Sequence, residues 1–161
     1  MATDKELLKK FLQRAQALCS RQEKCLSDIK TKLKQWGATP EMSDEILTFL
    51  LADKFIDEER YARMYTNEKA RINKWGKIRI IHSLRSKGVS QENIATAIEN
   101  VEELVSSENL MGLLKRKIAT TKAKSPQDLK VKLLRFATYR GFSYDEIQKA
   151  LEKLKVNDEN D

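Results

Sequence analysis

Gly88-Val89-Ser90-Gln91-Glu92-Asn93-Ile94 and Gly141-Phe142-Ser143-Tyr144-Asp145-Glu146-Ile147 are one phrase written twice. In each, a glycine can close one helix in the left-handed conformation, an apolar residue packs back, and a serine side chain caps the next helix. Four residues beyond each isoleucine, one helical turn on, stands Ile98 or Leu151. Gly37 begins the phrase a third time, and Ile46 and Leu50 complete it if three residues are inserted around Pro40. The three glycines lie 51 and 53 residues apart, which marks a repeated module rather than a chance likeness of turns.

The remaining punctuation fits the same plan. Thr3 and Glu6 read as a capping box, and Leu7, Leu8, Phe11, Leu12, Ala15 and Leu18 follow at helical spacing to about Glu23. A second helix carries Ile29, Leu33 and Trp36 and stops at Gly37. Thr39-Pro40 starts a third, with Ile46, Leu47, Leu50 and Leu51. Asp57 can cap a fourth, holding Tyr61, Met64 and Tyr65 and ending before Gly76. The fifth carries Ile78, Ile81 and Leu84; the sixth, from Ser90, Ile94, Ala97 and Ile98. Leu110, Leu113, Leu114 and Ile118 mark a seventh, Ser125-Pro126 opens an eighth, and Ser143 with Glu146 caps a ninth. No stretch alternates as a strand does. The expected fold is all-α: three tandem three-helix repeats in an elongated, curved array, divided at 1–53, 54–100 and 101–155, with 156–161 a disordered acidic tail.

With 161 residues, 40% hydrophobic and 34% charged, the chain suits helices that each bury one stripe better than one large core. The longest uncharged apolar stretch, Ile46 to Ala52, is far too short to span a bilayer, and Met1 to Lys10 lacks the apolar centre of a signal peptide. The expectation is a cytoplasmic, monomeric protein with no membrane contact. Cys19 and Cys25 have no second pair and a single distant histidine, so they read as small apolar residues of a helix seam, not as a zinc site or disulfide. No cofactor is expected. An enzyme needs a constellation, and none is present: His82 has no nucleophile at a recognisable spacing, the glycines are scattered singly, and Asp57, Glu58 and Glu59 are explained by the positive end of a helix dipole.

The charges are informative. Net charge is +7, and from Lys69 to Lys87 there are seven basic residues and no acid. From Lys115 to Arg140 there are nine, with Asp128 the one acid. A helix that needs only solubility interleaves both signs, so these runs point to an anionic partner, either a phosphate backbone or an acidic protein groove. Trp75, inside the first run, is either a buried anchor or an exposed stacking surface. Sequence-specific DNA reading is disfavoured, because the ninth helix begins Tyr144-Asp145-Glu146 and would repel phosphate.

Phe55-Ile56-Asp57-Glu58-Glu59-Arg60-Tyr61-Ala62-Arg63-Met64-Tyr65 resembles the signature of the RecX family, in which an aliphatic residue and acids precede Arg-Phe-Ala and an aromatic. The stretch Gly76-Lys77-Ile78-Arg79-Ile80-Ile81-His82-Ser83-Leu84-Arg85-Ser86-Lys87-Gly88-Val89 is similar to the family's glycine, Arg-Ile, Leu and Lys-Gly-Ile series, and Asp28-Ile29-Lys30-Thr31-Lys32-Leu33 to a preceding element. The likeness covers roughly residues 15 to 155. Ser83 stands where the family often has glutamate, Cys25 where it often has a serine cap, and Tyr61 replaces phenylalanine. The resemblance implies a regulator of recombination and DNA repair. It would bind the RecA–single-stranded DNA filament and inhibit RecA's ATP hydrolysis and strand exchange, with a weaker, salt-dependent affinity for single-stranded DNA itself. The expected contact residues are Arg60, Lys74, Lys77, Arg79, Arg85 and Lys87, with Lys74, Lys77, Arg85 and Lys87 meeting at a common rim. Arg60 has a second reading, as a pair with Asp57 or Glu59. Tyr61, Tyr65, Ile78, Leu84 and Gly88 are assigned to packing and turn geometry. The alternative function is a helical nucleic-acid-binding module acting without RecA.

Overall fold

The structure, a computed structural model, describes residues 2–156, the side chain of Leu104 excepted. The expected tail after Val156 lies outside the described residues. Within them are nine helices and no strand: α1 Asp4–Arg21, α2 Leu26–Gln35, α3 Pro40–Ala52, α4 Glu58–Arg71, α5 Lys77–Ser86, α6 Gln91–Glu99, α7 Glu103–Thr120, α8 Pro126–Tyr139 and α9 Tyr144–Lys153. None of these is long and apolar enough to cross a membrane.

The three glycine turns are built alike, hydrogen bond for hydrogen bond. Gly37, Gly88 and Gly141 have φ of +91°, +79° and +100°. The glycine N–H donates to the carbonyl three residues back, Lys34, Arg85 or Thr138, at 3.1, 2.9 and 3.0 Å. The next N–H, of Ala38, Val89 or Phe142, reaches back five residues to Leu33, Leu84 or Ala137 at 2.9, 3.1 and 3.2 Å. This is the Schellman pattern, which satisfies carbonyls the helix end leaves orphaned. Two residues after each glycine, Thr39 Oγ1, Ser90 Oγ and Ser143 Oγ accept from the N–H of Met42, Asn93 and Glu146, each at 3.2 Å.

The equal offset of the three caps removes the insertion expected around Pro40. The first repeat is in step with the others, and it places Ser43 where they have Ile94 and Ile147; all three side chains are buried. The register also holds backwards from the glycines. Eight and four residues before them stand Ile29 and Leu33, Ile80 and Leu84, Leu133 and Ala137, all fully buried. Full burial of a leucine or isoleucine contributes roughly 1.5–3 kcal/mol, so this shared stripe defines the inner face of α2, α5 and α8. It corrects the reading of the fifth helix, because Ile78 is 55% exposed and does not pack. Once Ile80 and Leu84 face inward, Ile78, two residues before Ile80 on a helix of 3.6 residues per turn, is carried to the far side.

The chain divides into two compact units, Met1–Met64 with Leu84–Ala95 and Tyr65–Ser83 with Thr96–Asp161. In the first, Phe11 and Ala15 of α1, Ile29 and Leu33 of α2, Ile46 and Leu50 of α3, and Ile56 form the core. In the second, Leu110 and Leu114 of α7 meet Leu133 and Ala137 of α8 and Phe142, Ile147, Ala150 and Leu151 around α9.

Candidate nucleic-acid interface

In the second unit, α4 ends in a loop that turns into α5. Ile72 N–H closes on Glu68 O and Trp75 N–H on Lys69 O, each at 2.9 Å, while Lys74 between them takes φ +57°, a left-handed conformation unusual for a side-chain-bearing residue. The backbone then meets the turn after α8: Gly76 N–H donates to Arg140 O at 2.8 Å and Ile78 N–H to Gly141 O at 3.0 Å. There is no room here for a side chain. A Cβ on Gly76 would lie 2.2 Å from Gly141 O, and one on Gly141 would lie 2.4 Å from Arg79 Cβ. Two glycines in contact therefore bring Arg79 beside Tyr139.

The result is a ladder of cations and rings. The Arg79 guanidinium lies 4.1 Å from the centre of the Trp75 ring and 5.1 Å from that of Tyr139. Lys69 Nζ sits 4.9 Å from the Trp75 centre and 5.4 Å from that of Tyr65, and Tyr65 Oη is 2.5 Å from Ser83 Oγ. Trp75, half-buried, is thus anchor and stacking surface at once. Arg140 Nη2 donates to Asn73 O at 2.6 Å, its buried Nε has no hydrogen-bond partner, and burial followed by the nearby Arg79 and Arg116 charges pushes its pKa down. Lys77 opens α5, whose first turn holds no acid, so two positive sources, the lysine and the helix dipole, stand together. A field of this sign next to the exposed Tyr139 ring suits a single-stranded polyanion whose bases can stack.

In the first unit two of the expected contact residues, Arg60 and Lys87, are held in ion pairs. Arg60 Nε bonds Glu23 Oε1, Nη1 lies 3.9 Å from Asp57 Oδ2, and Nη2 donates to Lys54 O at 3.2 Å. Of the two pairs expected for Arg60, Asp57 is present at the limit of range, while Glu59 pairs instead with Arg63 at 3.7 Å. Lys87 Nζ pairs with Asp28 Oδ1 at 3.2 Å. Burial pushes the Asp28 carboxyl up, but hydrogen bonds from Cys25 and Lys87 outweigh it and hold the pKa below the ordinary aspartate value. Arg85 is exposed in the last turn of α5, eight residues and so about 12 Å of helix beyond Lys77, and Lys87 lies past the helix end. The four residues of the expected rim are divided between the two units, Lys74 and Lys77 in the second and Arg85 and Lys87 in the first.

Sequence reasoning missed four features. Glu58 Oε1 accepts from Leu26 N–H at 2.9 Å, capping the start of α2 from another helix. Glu23 was not foreseen as the partner of Arg60. Lys30, Lys34 and Lys87 line one groove with Ser27, Thr31 and Ser86. Tyr139 was read only as part of a helix. One signal could have found it: two residues before the glycine, the other repeats have Gln35 and Ser86, so an aromatic at this outward position is an anomaly. As for other chemistry, Cys19 and Cys25 are free thiols whose pKa burial pushes up, and no group of three His, Cys, Asp or Glu among the described residues could hold a metal.

Comparison with known proteins gives this geometry a family. Residues 57–98 match the model for the second three-helix domain of RecX, and residues 106–151 that for the third. The Regulatory protein RecX of Clostridioides difficile (strain 630) is 27% identical over 158 residues, 98% of this chain and 74% of that protein. The Regulatory protein RecX of Bacillus thuringiensis (strain Al Hakam) is 29% identical over 158 residues, but the chain spans only 57% of its length. The crystal structure of RecX from Lactobacillus salivarius superposes with a TM-score of 0.79 at 20% identity, covering 93% of this chain and 97% of that one. A second crystal structure, of a regulatory protein RecX, gives 0.81 at 23% identity, covering 98% and 81%. With the repeated turns, the central signature and the matches over nearly the whole chain agreeing, the protein belongs to the RecX family of regulatory proteins.

Proposed function

We propose that the chain binds the RecA–single-stranded DNA filament and inhibits RecA's ATP hydrolysis and strand exchange, as a non-enzymatic, monomeric regulator in the cytoplasm. The observation that carries the reading is the family match over the acid-free basic run, residues 69–87, inside the second three-helix domain. A filament groove offers both anionic surfaces such a run needs, the phosphates of the strand and acidic protein faces. Lys74, Lys77, Arg79 and Arg85 are the contacts best supported. Arg60 and Lys87 also hold ion pairs within the first unit, so part of the effect of replacing them would be lost stability.

The test is DNA-dependent ATP hydrolysis by the cognate RecA, with the chain added up to equimolar amounts. Hydrolysis should fall, and less so as salt rises. Undiminished hydrolysis at low salt would end the proposal. The charge-reversal pair Arg79→Glu with Lys77→Glu should lose most of the inhibition; a folded double variant that inhibits like the parent removes the basic face from the mechanism.

A further inference from the structure

The ladder Lys69–Trp75–Arg79–Tyr139 ends in a ring whose role is not packing. Trp75 is half-buried and already covered by two cations, whereas Tyr139 remains 73% exposed although Arg79 stacks on it. A lone exposed tyrosine needs no explanation. This one is different in being held: its orienting partner is gripped by Trp75, and the backbone beneath it is clamped between Gly76 and Gly141. The exposed remainder is thus a pre-oriented π surface, flanked by basic residues on both contributing segments, Lys74 and Lys77 on one and Arg135 and Arg140 on the other. Neither contributing segment, residues 69–87 or 129–144, holds an acid, so charge complementarity selects an anion, and a ring surface selects an anion that is also flat and apolar. A nucleotide in a single strand is both; in a duplex the base is already stacked and unavailable.

We propose that the open surface of Tyr139 is a base-stacking site for single-stranded nucleic acid, with Arg79 orienting the ring and the surrounding cations meeting the flanking phosphates. The inference deepens the proposed function, since it names the base rather than the protein as the partner of this site, and it rests on that reading for the source of the strand. It predicts a division of labour in which phosphate contacts supply salt-dependent affinity and Tyr139 supplies a term indifferent to salt.

The experiment uses the full chain without RecA. Anisotropy of a labelled oligothymidylate of about fifteen nucleotides is compared with that of an abasic sugar-phosphate strand of equal length and charge, so that phosphate contacts cancel. The thymidylate strand should bind about tenfold more tightly. Tyr139→Ala should erase that difference and Tyr139→Phe keep it; because the side chain is so exposed, both variants should fold, which circular dichroism verifies. Equal affinity of the parent for the two strands overturns the proposal, as does a base preference that survives in Tyr139→Ala. If Tyr139→Ala loses inhibition of RecA while its strand preference is unaltered, the patch faces protein and the proposal is again overturned. A parent that inhibits RecA but ignores bases sinks this inference alone, while one that prefers bases but leaves RecA untouched supports stacking and sinks the RecA reading.

Discussion

Gly37 and Gly141 occupy the same place in the same turn, yet they answer to different demands. Both have a positive φ, both close a Schellman motif, and both stand two residues before a hydroxyl cap. A Cβ on Gly37 would meet nothing within 4 Å, whereas one on Gly141 would collide with Arg79 and the Gly76 carbonyl. The first glycine is required by its own backbone; the second is required by its own backbone and by a neighbour. A repeat thus supplies a turn three times, and the fold uses one copy as a seat for another segment.

The largest effect should come from Gly141→Ala. Left-handed strain of about 1–2 kcal/mol adds to an overpacking term of about 1–3 kcal/mol, giving about 2–5 kcal/mol in urea unfolding. Next comes Ile147→Ser, which gives the third repeat the residue that the first carries at Ser43. Truncating a fully buried isoleucine should cost about 2–4 kcal/mol, and a loss under about 1 kcal/mol would mean that this face of α9 is not core. Gly37→Ala should cost only the strain, about 1–2 kcal/mol. If it proved as damaging as Gly141→Ala, the contrast drawn from the open and the crowded Cβ positions would be wrong.

The smallest effect lies at the start of α4. Burial first, then the Asp28 and Asp57 charges, raise the pKa of Glu58 against the opposing hydrogen bond from Leu26. A carboxyl with a raised folded pKa stabilises the fold when protonated, and that contribution is lost as pH rises through the folded value. Glu58→Gln keeps an oxygen for Leu26 N–H and removes the buried charge, so it should be slightly more stable than the parent at pH 7, with the gain vanishing near pH 4. Asp28 has the opposite sign: its depressed pKa gives stability that is lost as pH falls through the folded value. Urea midpoints of parent and Glu58→Gln at both pH values decide the matter, and a variant less stable by the same margin at each would refute the assignment.

The helices, their caps and the triple turn were legible in the sequence because each is encoded within a few residues. Thr3, Thr39, Asp57, Ser125 and Ser143 all cap as the sequence suggests. The inner face of α5 was misjudged because Ile78, Ile80, Ile81 and Leu84 satisfy more than one helical stripe, and periodicity alone cannot choose among them. Counting back from the glycines would have chosen, since Ile29–Leu33 and Leu133–Ala137 share the offset of Ile80–Leu84. The basic character of residues 69–87 was equally plain. Which of the expected contact residues are neutralised was not, because Glu23 meets Arg60 and Asp28 meets Lys87 from remote parts of the chain, and an ion pair leaves no periodic trace. The Arg79–Tyr139 contact was hidden for the same reason. It depends on two glycine backbones meeting, and only the absence of side chains at Gly76 and Gly141 hints at it.

Lys74 carries a consequence of its own. At φ +57° it occupies, like Lys54 and Lys155 at +59°, a conformation that glycine adopts more freely than lysine. A chain optimised only for endurance would place glycine there, as it does at the three repeat turns, and would gain on the order of 1 kcal/mol. A long cation at that corner, inside the acid-free run, sets robustness against recognition. Variation at this position would therefore separate the two pressures: drift toward glycine would favour a sturdier protein, and persistence of a cation would favour one that still needs its charge.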